Sequence, residues 1–182
     1  MLLKSTMIET LISSKTRVKL LLKFFLNSET KSYLRNLETE FGESTNAIRL
    51  ELNKFEKAGM LQTEFEGNKK LFKANTSHPL FRDLNNIVFK YVGLDWIVDH
   101  IVSKLGKLDR VYLSGTFAKG LDSDTVELIF VGNVDEKFLK ELCVKVGRKI
   151  NRKITYEVVE KLRTKDSDSL LLWSKEKERK KR

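Results

Sequence analysis

Polar side chains between Thr45 and Lys57 have the types and spacing needed to contact a nucleic acid. Asparagine and arginine can contact base edges, leucine can contact a thymine methyl group, and lysine can contact a phosphate. At helical period these side chains lie opposite the apolar Ile48, Leu52 and Phe55. The candidate contact residues are Thr45, Asn46, Arg49, Leu50, Asn53 and Lys57. The pattern predicts an amphipathic helix whose polar face can read the major groove of DNA.

The segments on either side of this helix set its position. Ser44 is a good N-cap, and Gly59 stands where a left-handed C-cap is expected. A shorter helix is predicted to start at Thr30 or Ser32 and to end at Gly42, so two helices meet at a tight turn. An ordinary surface helix would also be amphipathic. The helix-turn-helix spacing favours the nucleic-acid interpretation.

A first core helix is predicted over residues 14–26. Its apolar stripe consists of Val18, Leu21, Leu22 and Phe25. Lys15, Arg17, Lys19 and Lys23 lie largely off this stripe. We therefore expect these four cations to face solvent or phosphate.

A β-hairpin is predicted directly after the polar helix. Residues 61–65 and 70–74 alternate as strands, and residues 66–69 supply the turn. Lys69 and Lys70 fall at its tip, where they suit a phosphate or minor-groove contact.

The stretch STNAIRLELNKFEKAGML resembles the S-x-x-x-V-x-x-x-L-x-x-L-x-x-A-G-L-L pattern of ArsR/MarR-like regulators, with Ile48 and Phe55 as conservative replacements. The resemblance covers residues 1–76 and implies a winged-helix DNA-binding domain. Metal-sensing members carry a Cys-x-Cys motif. This chain has one cysteine, Cys143, so metal sensing is disfavoured and we expect neither a metal nor a cofactor.

The segment after Pro79, the only proline, is predicted to be helical. Leu80, Leu84, Ile87 and Tyr91 recur at helical spacing. Regulators of this type usually read two half-sites as a dimer, so we expect these helices to join a homodimer.

From residue 109 onward the sequence predicts the order strand, glycine-rich turn, strand, helix and strand. The turn GTFAKG resembles the G-S-x-A-R-G turn of minimal nucleotidyltransferase domains. The resemblance implies a nucleotide-binding role for Gly115, Thr116, Lys119 and Gly120, and it places Glu127 on the second metal-binding carboxylate. The first carboxylate falls on Thr125, and Asp124 points to the other face of the strand. For the third carboxylate the strand KITYEVVE offers only Glu157 or Glu160, and neither fits clearly, so we expect no catalytic set.

The bulk composition describes a soluble globular protein with an anionic partner. The 182 residues are 41% hydrophobic and 33% charged, and the formal net charge is +10. The last eight residues supply +4 of that charge as a basic tail. No apolar run approaches the length of a membrane span, and the start is a poor signal peptide, so the expected location is cytoplasmic.

These patterns predict an α+β chain with four parts. A winged helix of three helices and a hairpin occupies residues 1–78, and linker or dimerisation helices occupy residues 79–106. A nucleotidyltransferase-like domain with a small mixed sheet occupies residues 107–174. Its last apolar segment, Leu170–Trp173, is predicted to dock on the rest of that domain. Residues 175–182 form the tail.

The predicted function is a regulator of transcription that binds double-stranded DNA as a homodimer. Its second domain is predicted to be inactive, with a nucleotide or phosphate as a possible effector. Two alternatives stay open. One is an active magnesium-dependent nucleotidyltransferase that uses the winged helix for targeting, and the other is a non-catalytic protein-interaction module.

Overall fold

A computed structural model describes residues 12–163 and 168–176. The chain is α+β with two small sheets, and it divides into two compact units, Met1–Tyr91 and Val92–Arg182. Residues 1–11 of the predicted N-terminal domain and residues 177–182 of the predicted basic tail lie outside the described residues. The boundary between the units falls inside the predicted segment 79–106, whose separate role stays a prediction.

The first unit combines helices with a three-stranded antiparallel sheet. Its helices are α1 (Lys15–Leu21), which continues as a π-helix over Leu22–Leu26, α2 (Leu34–Phe41), α3 (Thr45–Lys57) and α4 (Phe81–Val92), the last of which extends one residue past the unit boundary. Its strands are β1 (Ser32–Tyr33), β2 (Leu61–Glu66) and β3 (Lys69–Ala74). The sheet order is β1-β3-β2.

Local sequence signals fix the ends of these helices. The Ser14 hydroxyl accepts a hydrogen bond from the Arg17 N–H, and the Ser44 hydroxyl accepts one from the Ala47 N–H, both at 3.2 Å. These N-caps satisfy donors that a helix start leaves open. Gly42 ends α2 with a φ of 61°, in the left-handed region. The hairpin strands extend one residue further at the turn than predicted, because Glu66 pairs with Lys69.

Three of the four cations of the first helix are paired with acids within the unit, and the expectation that the cations face solvent or phosphate is wrong for the buried Lys23. Lys23 is 5% exposed and pairs with Glu40 at 2.7 Å. Arg17 forms a two-point pair with the buried Glu51 of α3, at 2.8 and 3.2 Å. Lys19 pairs with a glutamate at 2.6 Å. These side chains connect α1 to α2, to the turn after it and to α3.

The Arg17–Glu51 pair holds α3 from its buried side. Hydrogen bonding from the Arg17 guanidinium holds the pKa of Glu51 below its ordinary value. Leu52 and Ile48 on the same side of α3 are almost fully buried, and Phe55 packs edge-on against Phe25 at 6.5 Å between ring centroids. The opposite face of α3 is therefore the one presented to solvent.

The start of α2 differs from the prediction. Helix α2 begins at Leu34, not at Thr30 or Ser32, because Ser32 and Tyr33 form a short strand that pairs with Phe72 and Leu71.

The second unit contains a four-stranded mixed sheet of order β6-β5-β4-β7. Its strands are β4 (Leu108–Ser114), β5 (Thr125–Gly132), β6 (Lys153–Val159) and β7 (Leu170–Ser174). Its helices are α5 (Leu94–His100), followed by a 3-10 turn at Val102–Lys104, α6 (Gly115–Ala118) and α7 (Glu136–Ile150). Strands β4 and β5 are antiparallel, whereas β5 and β6 are parallel and are joined through α7.

The core of this unit lies on the central strands. Val111, Leu113, Val126 and Phe130 have no exposed surface, and α7 contacts β6. The segment predicted to dock on this domain does so as strand β7, which pairs antiparallel with β4. Within residues 12–163 and 168–176, no helix has both the length and the apolar character that crossing a membrane requires.

Candidate functional site

The exposed face of α3 brings together the predicted contact residues. Asn46, Arg49, Leu50, Asn53 and Lys57 are all exposed, and Leu50 is 53% exposed. Within the described part of the chain, the side chains of Arg49 and Asn53 make no hydrogen bond or ion pair. They are therefore available to a ligand without breaking an internal contact.

A groove of about 600 Å³ runs between this face, the start of α2 and the hairpin. Four basic side chains border it, and the apolar side chains of Leu34, Leu52 and Phe72 line its interior. The basic residues are Arg35, Arg49, Lys69 and Lys70. Thr45 and Asn53 also line it, so these two predicted residues share a surface with the hairpin. The groove thus combines positive charge with hydrogen-bonding groups.

The two lysines at the hairpin tip differ in their surroundings. Lys69 is exposed, with its Nζ 4.9 Å from the centre of the Tyr33 ring. Lys70 is half-buried, and its Nζ lies 2.7 Å from Glu56 Oε2 on α3. The hydrogen bond from Lys70 holds the pKa of Glu56 below its ordinary value. Lys69 therefore has more positive charge available to a phosphate than Lys70 has. The sequence alone did not distinguish these two lysines.

Four polar residues that line the groove were not predicted from the sequence: Tyr33, Arg35, Asn68 and the acidic Glu38. Arg35 lies in the first turn of α2, and Tyr33 and Asn68 border the groove from β1 and from the hairpin turn. Arg35 could have been identified from the sequence, because it is a cation near the start of a helix. Tyr33 had no such signal, because its place depends on the pairing of β1 with β3.

The second candidate site is the glycine-rich turn after β4. Gly115 has a φ of 64° and Gly120 a φ of 71°, and the short helix α6 lies between them. The Thr116 N–H donates to Glu127 Oε1 at 3.3 Å. A Cβ atom on residue 115 would lie 1.9 Å from Glu127 Oε1, so the carboxylate needs a glycine there. Glu127 therefore occupies the turn that the resemblance assigns to a phosphate.

A second acid near this turn, Asp122, is held by an arginine. Asp122 pairs with Arg152 at 3.1 Å, and Arg152 also donates to the Ser123 carbonyl and lies 5.0 Å from the centre of the Phe117 ring. Thr125 lies two residues before Glu127 on the same strand and so shares its face. Among residues 12–163 and 168–176, no three His, Cys, Asp or Glu side chains form a group that could hold a metal ion.

The remaining predicted residues of the turn are placed as follows. Lys119 is exposed at the end of α6, and Gly120 closes the turn through a hydrogen bond from its N–H to the Phe117 carbonyl at 2.9 Å. Cys143, on α7, is buried, and burial raises the pKa of its thiol to about 12. That thiol is protonated at neutral pH, which makes it a poor nucleophile.

Comparisons with known proteins give little to transfer. No protein-family model matches the chain, and no curated protein matches it. The crystal structure of AF1382 from Archaeoglobus fulgidus is similar over 53% of this chain and 97% of its own, with 17% identity and a TM-score of 0.36. A likeness of that extent carries no argument about fold or function.

Proposed function

We propose that the chain is a DNA-binding regulator of transcription that reads sequence through α3. The observation that carries this proposal is the exposed face of α3, where Arg49 and Asn53 border a basic groove and have no side-chain hydrogen bond or ion pair to any residue that the structure describes. The major groove of B-DNA admits one α-helix, and arginine and asparagine are the side chains that pair with guanine and adenine edges. Leu50 suits a thymine methyl group, and Lys57 suits a phosphate.

In this proposal the first unit is a winged helix of the ArsR/MarR-like kind. Helices α1 to α3 supply the three-helix part, α2 and α3 supply the helix-turn-helix, and the β2–β3 hairpin is the wing. The sequence resemblance and the order of these elements along the chain support it. Such a domain would use the wing lysines for phosphate contacts that fix its register on the duplex. A DNA-binding regulator of transcription is compatible with the expected cytoplasmic location.

For the second unit we propose a nucleotidyltransferase-like domain without transferase activity. The glycine-rich turn, the antiparallel β4–β5 pair and the parallel β5–α7–β6 crossover support the likeness. Thr125 in place of a carboxylate supports the lack of activity. A nucleotide or phosphate effector would bind at the turn only by displacing the Glu127 carboxylate from the Thr116 N–H, since two anions would otherwise meet there.

Salt titration of DNA binding tests the phosphate contacts of this proposal. Each phosphate that a protein neutralises adds about 0.9 to the slope of log K against log salt concentration. We expect Lys69→Ala to lower the slope by about one, equally on specific and random duplexes. Lys70→Ala should lower it less, because Glu56 already neutralises part of that charge.

Lys140→Ala is the matched control, since Lys140 is an exposed lysine on α7 in the second unit. It removes the same charge and should leave the slope unchanged. Fluorescence anisotropy with labelled duplexes gives all the slopes. Equal slopes for Lys69→Ala and Lys140→Ala would contradict the placement of the wing on DNA.

A further inference from the structure

Phe65 lies on the hairpin with most of its ring in solvent. Within the ranges that the structure describes, it is the most exposed of the large hydrophobic side chains, at 75%. It is the next-to-last residue of β2, just before the turn at Gly67. A ring in that position adds nothing to the core of its own unit, so only a partner could bury it.

The face of the hairpin that carries Phe65 also borders the groove. In the register of β2 and β3, Phe65 stands opposite Lys70, and Thr63 stands opposite Phe72. Residues directly opposite each other on two antiparallel strands share one face of the sheet, and Lys70 and Phe72 line the groove. Exposure on this face rises from 5% at Phe72 to 75% at Phe65. The ring therefore projects from the groove side of the hairpin, beyond the apolar floor of the groove.

Contacts with α3 fix the position of this part of the hairpin. Glu56 of α3 accepts hydrogen bonds from the Lys70 ammonium group at 2.7 Å and from the Thr63 hydroxyl at 3.2 Å. Lys70 is the residue opposite Phe65, and Thr63 precedes Phe65 by two positions on the same strand. The ring is thus held at a set place relative to the exposed face of α3.

The surroundings of Phe65 suit a polyanion in spite of two neighbouring acids. Glu64 and Glu66 point to the opposite side of the strand, because side chains alternate along it. Glu64 is also paired with Lys31 at 2.5 Å. The exposed Lys69, at the other end of the turn, lines the groove. A duplex held by the groove cations would therefore meet an apolar ring on this side of the strand.

We propose that Phe65 inserts as a wedge between two neighbouring base pairs of the bound duplex and bends it. This inference rests on the proposed function, and it adds a residue that acts without reading a base edge. Apolar side chains that bend DNA in this way enter from the minor groove, unstack one base step and kink the duplex by about 20–90°. A phenylalanine ring also offers a flat face on which an unstacked base can stack.

The wedge gives the protein a preference at a position where it makes no base hydrogen bond. Pyrimidine–purine steps such as TA and CA are easily unstacked, so they cost least to open. The binding motif should therefore carry such a step beside the bases that α3 reads. Replacing that step by a GC step should weaken binding about fivefold, which is the lower end of the cost of one wrong base pair.

Bend and unstacking are measured with the full chain, on duplexes that carry the motif selected from a random pool. Fluorophores at the two ends report the bend by energy transfer. A fluorescent adenine analogue, placed in turn at each adenine beside the motif, brightens where a base is unstacked. We expect wild type to raise both signals. Phe65→Ala should bind the duplex but leave it nearly straight, without the brightening and without the step preference. Phe65→Leu should keep a smaller bend, since leucine can also act as a wedge.

Phe138→Ala is the matched control, because Phe138 is an exposed phenylalanine on α7 in the second unit. It should change neither signal. Circular dichroism should show the wild-type fold for every variant. A wild-type complex with a straight duplex overturns the inference and leaves the proposed function standing, and so does a Phe65→Ala complex that is bent like wild type. A wild-type chain that binds no duplex, measured by anisotropy on the same samples, rejects the proposed function and this inference together.

Discussion

Replacing Arg49 by alanine is expected to weaken binding to the specific duplex by about 5- to 150-fold, equivalent to about 1–3 kcal/mol. Arg49 is exposed on α3, beside Asn53 and at the edge of the basic groove. An arginine that donates two hydrogen bonds to a guanine edge cannot be replaced by water without loss of discrimination. Competition binding with specific and random duplexes at one salt concentration measures the effect.

The comparison between the two duplexes decides what Arg49 does. Binding to random DNA should fall much less than binding to the specific site, because non-specific binding is supplied by phosphate contacts. Arg148→Ala is the matched control, since Arg148 is an exposed arginine near the end of α7. It should change neither affinity. Equal losses on both duplexes for Arg49→Ala would make Arg49 a phosphate contact and remove it from the base-reading set.

The second large effect is an absence of nucleotidyl transfer. Two-metal chemistry requires charged oxygen ligands that hold both ions and stabilise the attacking and leaving oxygens. Here Thr125 offers a hydroxyl, Asp122 is paired with Arg152, and Glu127 lies in the turn. Magnesium prefers anionic oxygens in strict geometry, which a hydroxyl does not supply. We expect no label transfer from any of the four nucleoside triphosphates to protein or RNA, with magnesium or manganese present.

Glu127→Gln is the matched variant for this assay. It removes the remaining carboxylate on that face of β5 and should give the same background as wild type. Reproducible transfer by wild type that disappears in Glu127→Gln would reject the inactive assignment and support the enzyme alternative.

Local signals in the sequence predicted much of the fold. Ser14, Ser44 and Gly42 act within one turn of their own position, so the start of α1, both ends of α3 and the C-terminal end of α2 were predicted to within about two residues. The predicted first helix is α-helical only to Leu21 and continues to Leu26 as a π-helix. The hairpin followed from the glycine at position 67 between two alternating segments. Burial of Ile48, Leu52 and Phe55 followed from their helical spacing.

The features that were missed depend on partners distant in sequence. Strand β1 exists because Ser32 and Tyr33 meet β3, about 40 residues later. Lys23 is buried because Glu40 lies beside it, and a lysine read alone is assigned to the surface. The pairing of Lys70 with Glu56 is of the same kind. For the candidate site, the polar face of α3 could be predicted from its helical periodicity. The groove could not, because it forms only where α2, α3 and the hairpin lie side by side.

Selection of binding sites from a pool of random duplex DNA, with the full chain, is the most direct test of sequence-specific DNA recognition. The account predicts enrichment of one motif with two-fold symmetry, whose half-sites lie one helical turn or a multiple of it apart, as two copies reading the major groove require. Arg49→Ala, selected in parallel, should relax the motif at one position of each half-site. A pool that stays random after repeated rounds, while the chain remains folded, would contradict the account.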